Sequence, residues 1–181
     1  MSITVAKSAG FCFGVNRAIN IVNSLLDKNV KVSTLGPIIH NMEVVNELES
    51  RGCKAVENID EVEKDATLVI RSHGVPKYVI DKLDENGVKY EDATCPFVKK
   101  IHNIVANPDN KDGIVLIAGN SVHPEVEGII GHCSTECHTF KNSEEIDEIY
   151  NNILKKNNKQ VFVVAQTTFD TKEWKKCVKK N

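Results

Sequence analysis

No run of apolar residues in this chain approaches the ~18 that a membrane-spanning helix requires, and the opening MSITVAKSAG lacks the basic-then-apolar pattern of a secretory leader. Those two absences point to a cytosolic protein with no membrane partner. Charge of a single sign is missing as well. With 23 Lys and Arg against 25 Asp and Glu, the formal net charge is −2, which gives no electrostatic footing for nucleic acid. The basic stretch KKCVKKN is too short to change this. Neither a Walker A loop nor a G-x-G-x-x-G fingerprint occurs, so nucleotide binding has no support. What is present is length enough, at 181 residues, for one or two compact lobes with a real core. Six cysteines in a reducing compartment read as ligands, catalytic groups or buried small hydrophobes rather than disulfides.

Short β-rich runs alternate with helical patterns along the whole chain, which predicts an α/β protein with mainly parallel sheets flanked by helices. The expected strands are ITVAK, KVSTL, TLVIRS, VKYEDA, GIVLIAG, CHTF and QVFVVAQ. After Gly14, residues Val15, Ala18, Ile19, Val22, Leu25 and Leu26 share a helical face, and Phe97, Ile101, Ile104 and Val105 do so after Cys95, with Pro96 suited to a first helical position. Ser143, with Glu145 and Asp147 nearby, reads as the cap of a helix over SEEIDEIYNNILKK. Two halves echo one another. Gly36-Pro-Ile-Ile-His40 recurs loosely as Gly119-Asn-Ser-Val-His123, and in each half a later strand ends in polar residues, Arg71-Ser72-His73 and Gln166-Thr167-Thr168. The expected organisation is an N-terminal strand and loop over 1–12, a first α/β lobe over 13–95 and a related second lobe over 96–181. Ligands of open α/β sheets collect beyond the carboxyl ends of the strands, where these polar residues fall.

Cys12 and Cys95 each stand where an apolar run breaks into a helix, in AGFCFGVNRAINIV and EDATCPFVKKIHNIV. A thiolate there faces amide N–H groups and the positive end of the helix dipole, the setting of a metal ligand or nucleophile. Two such cysteines far apart in sequence imply one centre assembled by the fold, and soft thiolates favour zinc, copper(I) or iron–sulfur clusters. His40, His73 and His123 are bracketed by turn formers rather than by apolar stripes, and imidazoles beside helix N-termini suit a phosphorylated ligand. Glu125, two residues after His123, is a candidate proton donor, with Glu127 expected outside the site. The run His132-Cys133-Ser-Thr-Glu-Cys137-His138 invites a zinc reading, but four groups in one short loop converge poorly into a tetrahedron. Cys53, in the connection RGCKAV, and Cys177, on an apolar helix edge with Trp174 and Val178, read as packing.

The strings GFCFGV, HN at 40, SHG at 72, DATCP, HPEVEG and QTT at 166 run in order along essentially the whole chain, and together they closely resemble the hydroxymethylbutenyl diphosphate reductase family of the non-mevalonate isoprenoid pathway. The resemblance implies α/β lobes around an oxygen-sensitive iron–sulfur cluster, 4Fe-4S in type. By it, Cys12 and Cys95 bind the cluster, and His40, His73 and His123 line the diphosphate site. Glu125 handles the proton, Thr167 orients the substrate near its hydroxyl, and Thr168 is a neighbouring substrate-site candidate. The implied reaction is reductive dehydroxylation of an allylic alcohol diphosphate to isopentenyl and dimethylallyl diphosphates, with electrons from ferredoxin, flavodoxin or an equivalent donor. Members of that family continue into a third lobe, which brings a third cluster cysteine and a Ser-x-Asn group for the diphosphate. This chain ends in a helical pattern without a capping Gly or Pro, so the expectation is the N-terminal two-thirds of such a reductase. The rival readings are a non-catalytic module for a phosphorylated ligand and one subunit of a split reductase. A Cys-His hydrolase is disfavoured because no cysteine has an evident His and Asn pair in supporting context.

Overall fold

Four short runs, Val32–Leu35 (β1), Cys53–Val56 (β2), Thr67–Ile70 (β3) and Tyr90–Asp92 (β4), pair in parallel in the order β2-β1-β3-β4. The computed structural model describes residues 3–6, 9–109, 111–156 and 158–179. This sheet belongs to a first compact unit, which gathers the residues up to Ser72 and Val88–Cys95. All four residues of β3 are buried, as expected of a parallel strand covered on both faces. Helix α1 (Phe13–Leu26) buries Gly14, Ala18 and Val22, spaced at helical intervals, and α2 (Met42–Ser50) buries Val45 and Leu48. Ala18, Val22 and Leu48 share a core with Val32, Ile38, Cys53 and Val69.

The second unit comprises His73–Gly87 and the residues from Pro96 onward. It holds α3 (Lys77–Glu85), α4 (Pro96–Ala106), β5 (Ile114–Ala118), α5 (Pro124–His132), β6 (Glu136–Phe140), α6 (Ser143–Asn152), β7 (Val161–Ala165) and α7 (Thr171–Lys179). Its three strands are parallel in the order β6-β5-β7. Central β5 is buried throughout and alternates between two cores. Val115 and Ile117 pack with Val105, Val126 and Ile129, whereas Ile114, Leu116 and Ala118 pack with Phe140, Ile146 and Cys177. In both units the chain leaves the first strand toward one edge and returns on the other side. The crevices between β1 and β3 and between β5 and β7 are therefore the places where loops diverge and ligands enter such sheets. Among the described residues no helix is long and apolar enough to cross a membrane.

Several local expectations are corrected. Residues 53–56, read as a connection, are the edge strand β2, because Val32 to Leu35 supply a parallel partner that sequence alone does not reveal. The expected first strand is not formed over residues 3–6, and its last residue, Lys7, lies outside the described residues. Helix α6 is capped by Asn142 rather than Ser143: its Oδ1 accepts from the Glu144 and Glu145 amides, while the Ser143 N–H donates to Glu173. The buried face of α4 is Val98, His102 and Val105, with Phe97 and Ile104 exposed, so this face is rotated from the apolar stripe and includes a polar ring. Val178 is also exposed, leaving Cys177 and Trp174 to pack on the core. Residues 73–87, expected within the first lobe, associate with the second unit.

Candidate functional site

In the first unit Cys12 is the N-cap residue of α1, with extended backbone and an exposed side chain. Cys95 ends the segment that follows β4, and a set of hydrogen bonds fixes that segment. The Ala93 N–H donates to the Ile70 carbonyl at 3.1 Å and the Cys95 N–H to the Ser72 carbonyl at 2.9 Å. The Thr94 N–H donates to Asp92 Oδ1 at 2.9 Å. From α1, the Arg17 guanidinium donates to the carbonyls of Asp92 and Thr94 at 3.2 and 3.3 Å. The helix approaches so closely that a Cβ at Gly14 would stand 2.6 Å from Cys95 Sγ and 2.9 Å from its Cβ. The absent side chain at Gly14 is what lets the first turn of α1, capped by Cys12, lie against Cys95.

His40 is exposed and stands one residue before Asn41, whose Oδ1 accepts the Val44 N–H at 3.1 Å and caps α2. Gly36, with φ of +67°, leaves space over which Arg71 Nη1 lies, 3.1 Å from where a Cβ would be. Among the described residues no group of three or more His, Cys, Asp or Glu side chains is arranged to hold a metal. Of the three thiols in the first unit Cys53 is buried, whereas Cys12 is exposed and Cys95 partly so. Soft sulfur donors beside a glycine that removes bulk from Cys95 suit an iron–sulfur cluster, provided that further ligation comes from elsewhere.

In the second unit the polar groups bond to one another. Glu125, in the first turn of α5, is only 2% exposed. Its Oε1 accepts the Thr167 N–H at 2.6 Å and its Oε2 accepts the Thr167 hydroxyl at 2.8 Å, which joins the loop after β5 to the loop after β7. His123 is the N-cap of α5: its Nδ1 accepts the Glu125 N–H at 3.1 Å, which puts the ring proton of the neutral imidazole on Nε2. The His73 ring stands edge-on to His123 with centroids 5.9 Å apart. Thr168 Oγ1 accepts from Gln166 Nε2 at 2.7 Å. Glu127 is exposed.

Sequence reasoning assigned no individual role to Gln166, Arg71, Arg17 or Gly14. A Cβ at Gly119 would stand 2.6 Å from Gln166 Oε1, so that glycine clears space for the glutamine as Gly36 does for Arg71. The available signal was a glycine at the end of each central strand, whose meaning depends on which side chain the neighbouring strand delivers. Arg17 carried no signal, because its acceptors are backbone carbonyls distant in sequence.

The LytB protein family profile matches residues 3–181. The chain belongs to the LytB family. It is 40% identical over 171 residues to the 4-hydroxy-3-methylbut-2-enyl diphosphate reductase of Clostridioides difficile, a match covering 94% of this chain and 60% of that protein. It is 42% identical over 175 residues to the enzyme of the same name from Alkaliphilus oremlandii, with the same two coverages of 94% and 60%. A solved structure of (E)-4-hydroxy-3-methyl-but-2-enyl diphosphate reductase, the terminal enzyme of the non-mevalonate pathway, superposes with a TM-score of 0.82 at 36% identity, covering 98% of this chain and 62% of that one. The E-1-hydroxy-2-methyl-but-2-enyl-4-diphosphate reductase of Plasmodium falciparum superposes with a TM-score of 0.85 at 30% identity, over 96% of this chain and 54% of that one. This LytB sequence therefore spans about 60% of the length of the curated relatives it matches.

Proposed function

We propose that this LytB chain supplies the cluster-holding cysteines and much of the substrate pocket of a 4-hydroxy-3-methylbut-2-enyl diphosphate reductase. The observation that carries this reading is the buried Glu125 carboxylate with both oxygens held by Thr167 at the carboxyl ends of β5 and β7. A carboxyl group kept from bulk water and aimed by a hydroxyl is equipped to hold and transfer a proton. In the proposed reaction that proton goes, through the Glu125 and Thr167 pair, to the oxygen that leaves the allylic alcohol as water. Thr167 aligns the substrate hydroxyl, and Thr168 contributes at the edge of the same loop. His123, with its proton on Nε2, and His73 beside it donate to diphosphate oxygens, a role shared by His40. Cys12 and Cys95 would hold an iron–sulfur cluster, 4Fe-4S in type, which when bound would pass on the two electrons and offer a Lewis-acidic iron. Those electrons come from a soluble donor such as ferredoxin or flavodoxin in the cytoplasm.

The test uses a full-length LytB reductase carrying this segment. Glu125→Gln keeps the size of the side chain and removes its acidity, so turnover falls by roughly 10²- to 10⁴-fold while the cluster's absorption spectrum is retained. Cys12→Ser and Cys95→Ser lose the iron and sulfide themselves. Near-normal turnover of Glu125→Gln would remove Glu125 from the proton role. Substrate binding that persists with no cluster in the wild-type enzyme would favour the non-catalytic binding module.

A further inference from the structure

The carboxyl end of β3 carries a cation that no role assigned so far uses. Arg71 follows Ile70, the last residue of that strand, and its Nη1 lies 3.1 Å from where a Cβ would stand on Gly36, the residue after β1. The guanidinium therefore spans the crevice between β1 and β3. Its backbone is anchored on both sides. The Ile70 carbonyl accepts the Ala93 N–H at 3.1 Å, and the Ser72 carbonyl accepts the Cys95 N–H at 2.9 Å. Arg71 Nε is buried and has no hydrogen-bond partner among the described residues. Buried donors are paired as a rule, because an unpaired one costs more than its bond contributes.

Neither comparable side chain is left this way. Arg17 donates to the Asp92 and Thr94 carbonyls and Arg51 to Asp27. Gln166, at the matching place in the second unit, donates from Nε2 to Thr168 Oγ1 and accepts the Asn120 N–H at Oε1. Among the described residues Arg71 also joins no ion pair. The second unit thus satisfies this position from within the protein, and the first unit holds a charged donor there for something else.

We propose that Arg71 is an anion-binding residue whose guanidinium takes the oxygens of a phosphate group and, resting on the reductase reading above, that this phosphate belongs to the allylic diphosphate. An arginine presents its N–H groups in a planar fork that matches two phosphate oxygens at once, and it keeps its charge at any ordinary pH. Gly36, which gives the fork its room, opens the loop that reaches exposed His40, already proposed as a diphosphate ligand. The anchored backbone leaves little freedom to lose when the anion binds. Without an anion the protein carries an unpaired donor, a loss of stability of the kind that binding residues impose.

Calorimetric titration of the 181-residue chain with inorganic pyrophosphate tests this, beside urea denaturation of the same protein without anion. Arg71→Met keeps the apolar stem and removes the fork. It should weaken pyrophosphate binding at least roughly tenfold. Its urea midpoint should equal or exceed that of the wild type, since an unpaired buried donor is removed. Equal affinities in the two proteins, or no binding by the wild type, would overturn the proposal. A lower midpoint would do so too, by showing that Arg71 holds the fold. In a full-length LytB reductase carrying this segment, the same substitution should raise KM for the allylic diphosphate at least roughly tenfold. An unchanged KM with weakened pyrophosphate binding would make the ligand a free phosphate and refute the assignment to substrate. The titration needs no turnover. A full-length protein without reductase activity would therefore sink the reductase reading and leave the pyrophosphate comparison to decide whether Arg71 binds an anion.

Discussion

The two units share a plan down to single residues. In the first, the Gly36 N–H that follows β1 donates to the Val56 carbonyl at the end of edge strand β2. In the second, the Gly119 N–H that follows β5 donates to the Phe140 carbonyl at the end of edge strand β6, and both bonds measure 2.8 Å. Each glycine clears space for the first side chain after the opposite neighbouring strand, Arg71 after β3 and Gln166 after β7. Each loop then enters a capped helix, and here the units part. Asn41 caps α2, one residue after His40, whereas in the second unit His123 is itself the cap. The way the reactive atoms are held also differs. Around Cys95 every hydrogen bond has a backbone group at one end, with Arg17 bracing the carbonyls and Asp92 Oδ1 accepting the Thr94 N–H. Around Glu125 the functional groups bind each other. One scaffold thus presents a sulfur braced through its backbone in one unit and a carboxylate held by a threonine in the other, because such groups reside in loops on a rigid sheet.

The glycines offer the largest effect with which to break this comparison. Gly14→Ala puts a Cβ against Cys95 Sγ and Cβ, a short side chain anchored by its own backbone, so the helix must move. Gly119→Ala meets the tip of Gln166 and a methyl of Val126, both 2.6 Å away, and the glutamine tip can turn aside. The expected cost is about 3 kcal/mol for Gly14→Ala and about 1 kcal/mol for Gly119→Ala, measured by urea denaturation. Equal costs would show that the approach of α1 to Cys95 is no tighter a constraint than the Gly119 contact.

A smaller effect sharpens the contrast between backbone bracing and side-chain networks. Thr167→Val removes the hydroxyl donor from a buried carboxylate oxygen and should cost about 2 kcal/mol. Arg17→Met keeps the apolar stem and loses two partly buried bonds to backbone carbonyls, for about 1 kcal/mol. If Arg17→Met is the more damaging, the segment before Cys95 depends on α1 far more than its other three hydrogen bonds suggest.

The alternation that predicts parallel α/β layers was legible because parallel strands covered on both faces read as continuous apolar runs, as Ile114–Ala118 does. The paired Gly-to-His spacing was legible because turn chemistry repeats in the sequence. Strand β2 was not, since CKAV is short and half polar and becomes a strand only by pairing with β1. The buried face of α4 was misread because His102 is buried where the pattern favoured Phe97 and Ile104. The union of Glu125 with Thr167 is a contact between distant loops, and only the family resemblance placed both residues in one site.

The finest comparison is between two cysteines at matching positions. Cys53 stands opposite Val32 in edge strand β2, three residues before Val56, and Cys137 stands opposite Val115 in edge strand β6, three residues before Phe140. Cys53 is buried in an apolar core near Glu49, and burial first, then that carboxylate, push its thiol up from 9.0 to about 11, despite a hydrogen bond with Thr34. Below pH 9 both folded and unfolded chains keep this proton, so the site's stability contribution is fully present. Between pH 9 and 11 only the unfolded chain releases it, and the contribution is lost as pH rises through the folded value. Two pK units correspond to at most about 3 kcal/mol. Urea midpoints at the two ends of that range should therefore fall further for the wild type than for Cys53→Val, which cannot ionise. Parallel pH dependence in the two proteins would mean that burial in this edge strand does not hold the Cys53 proton.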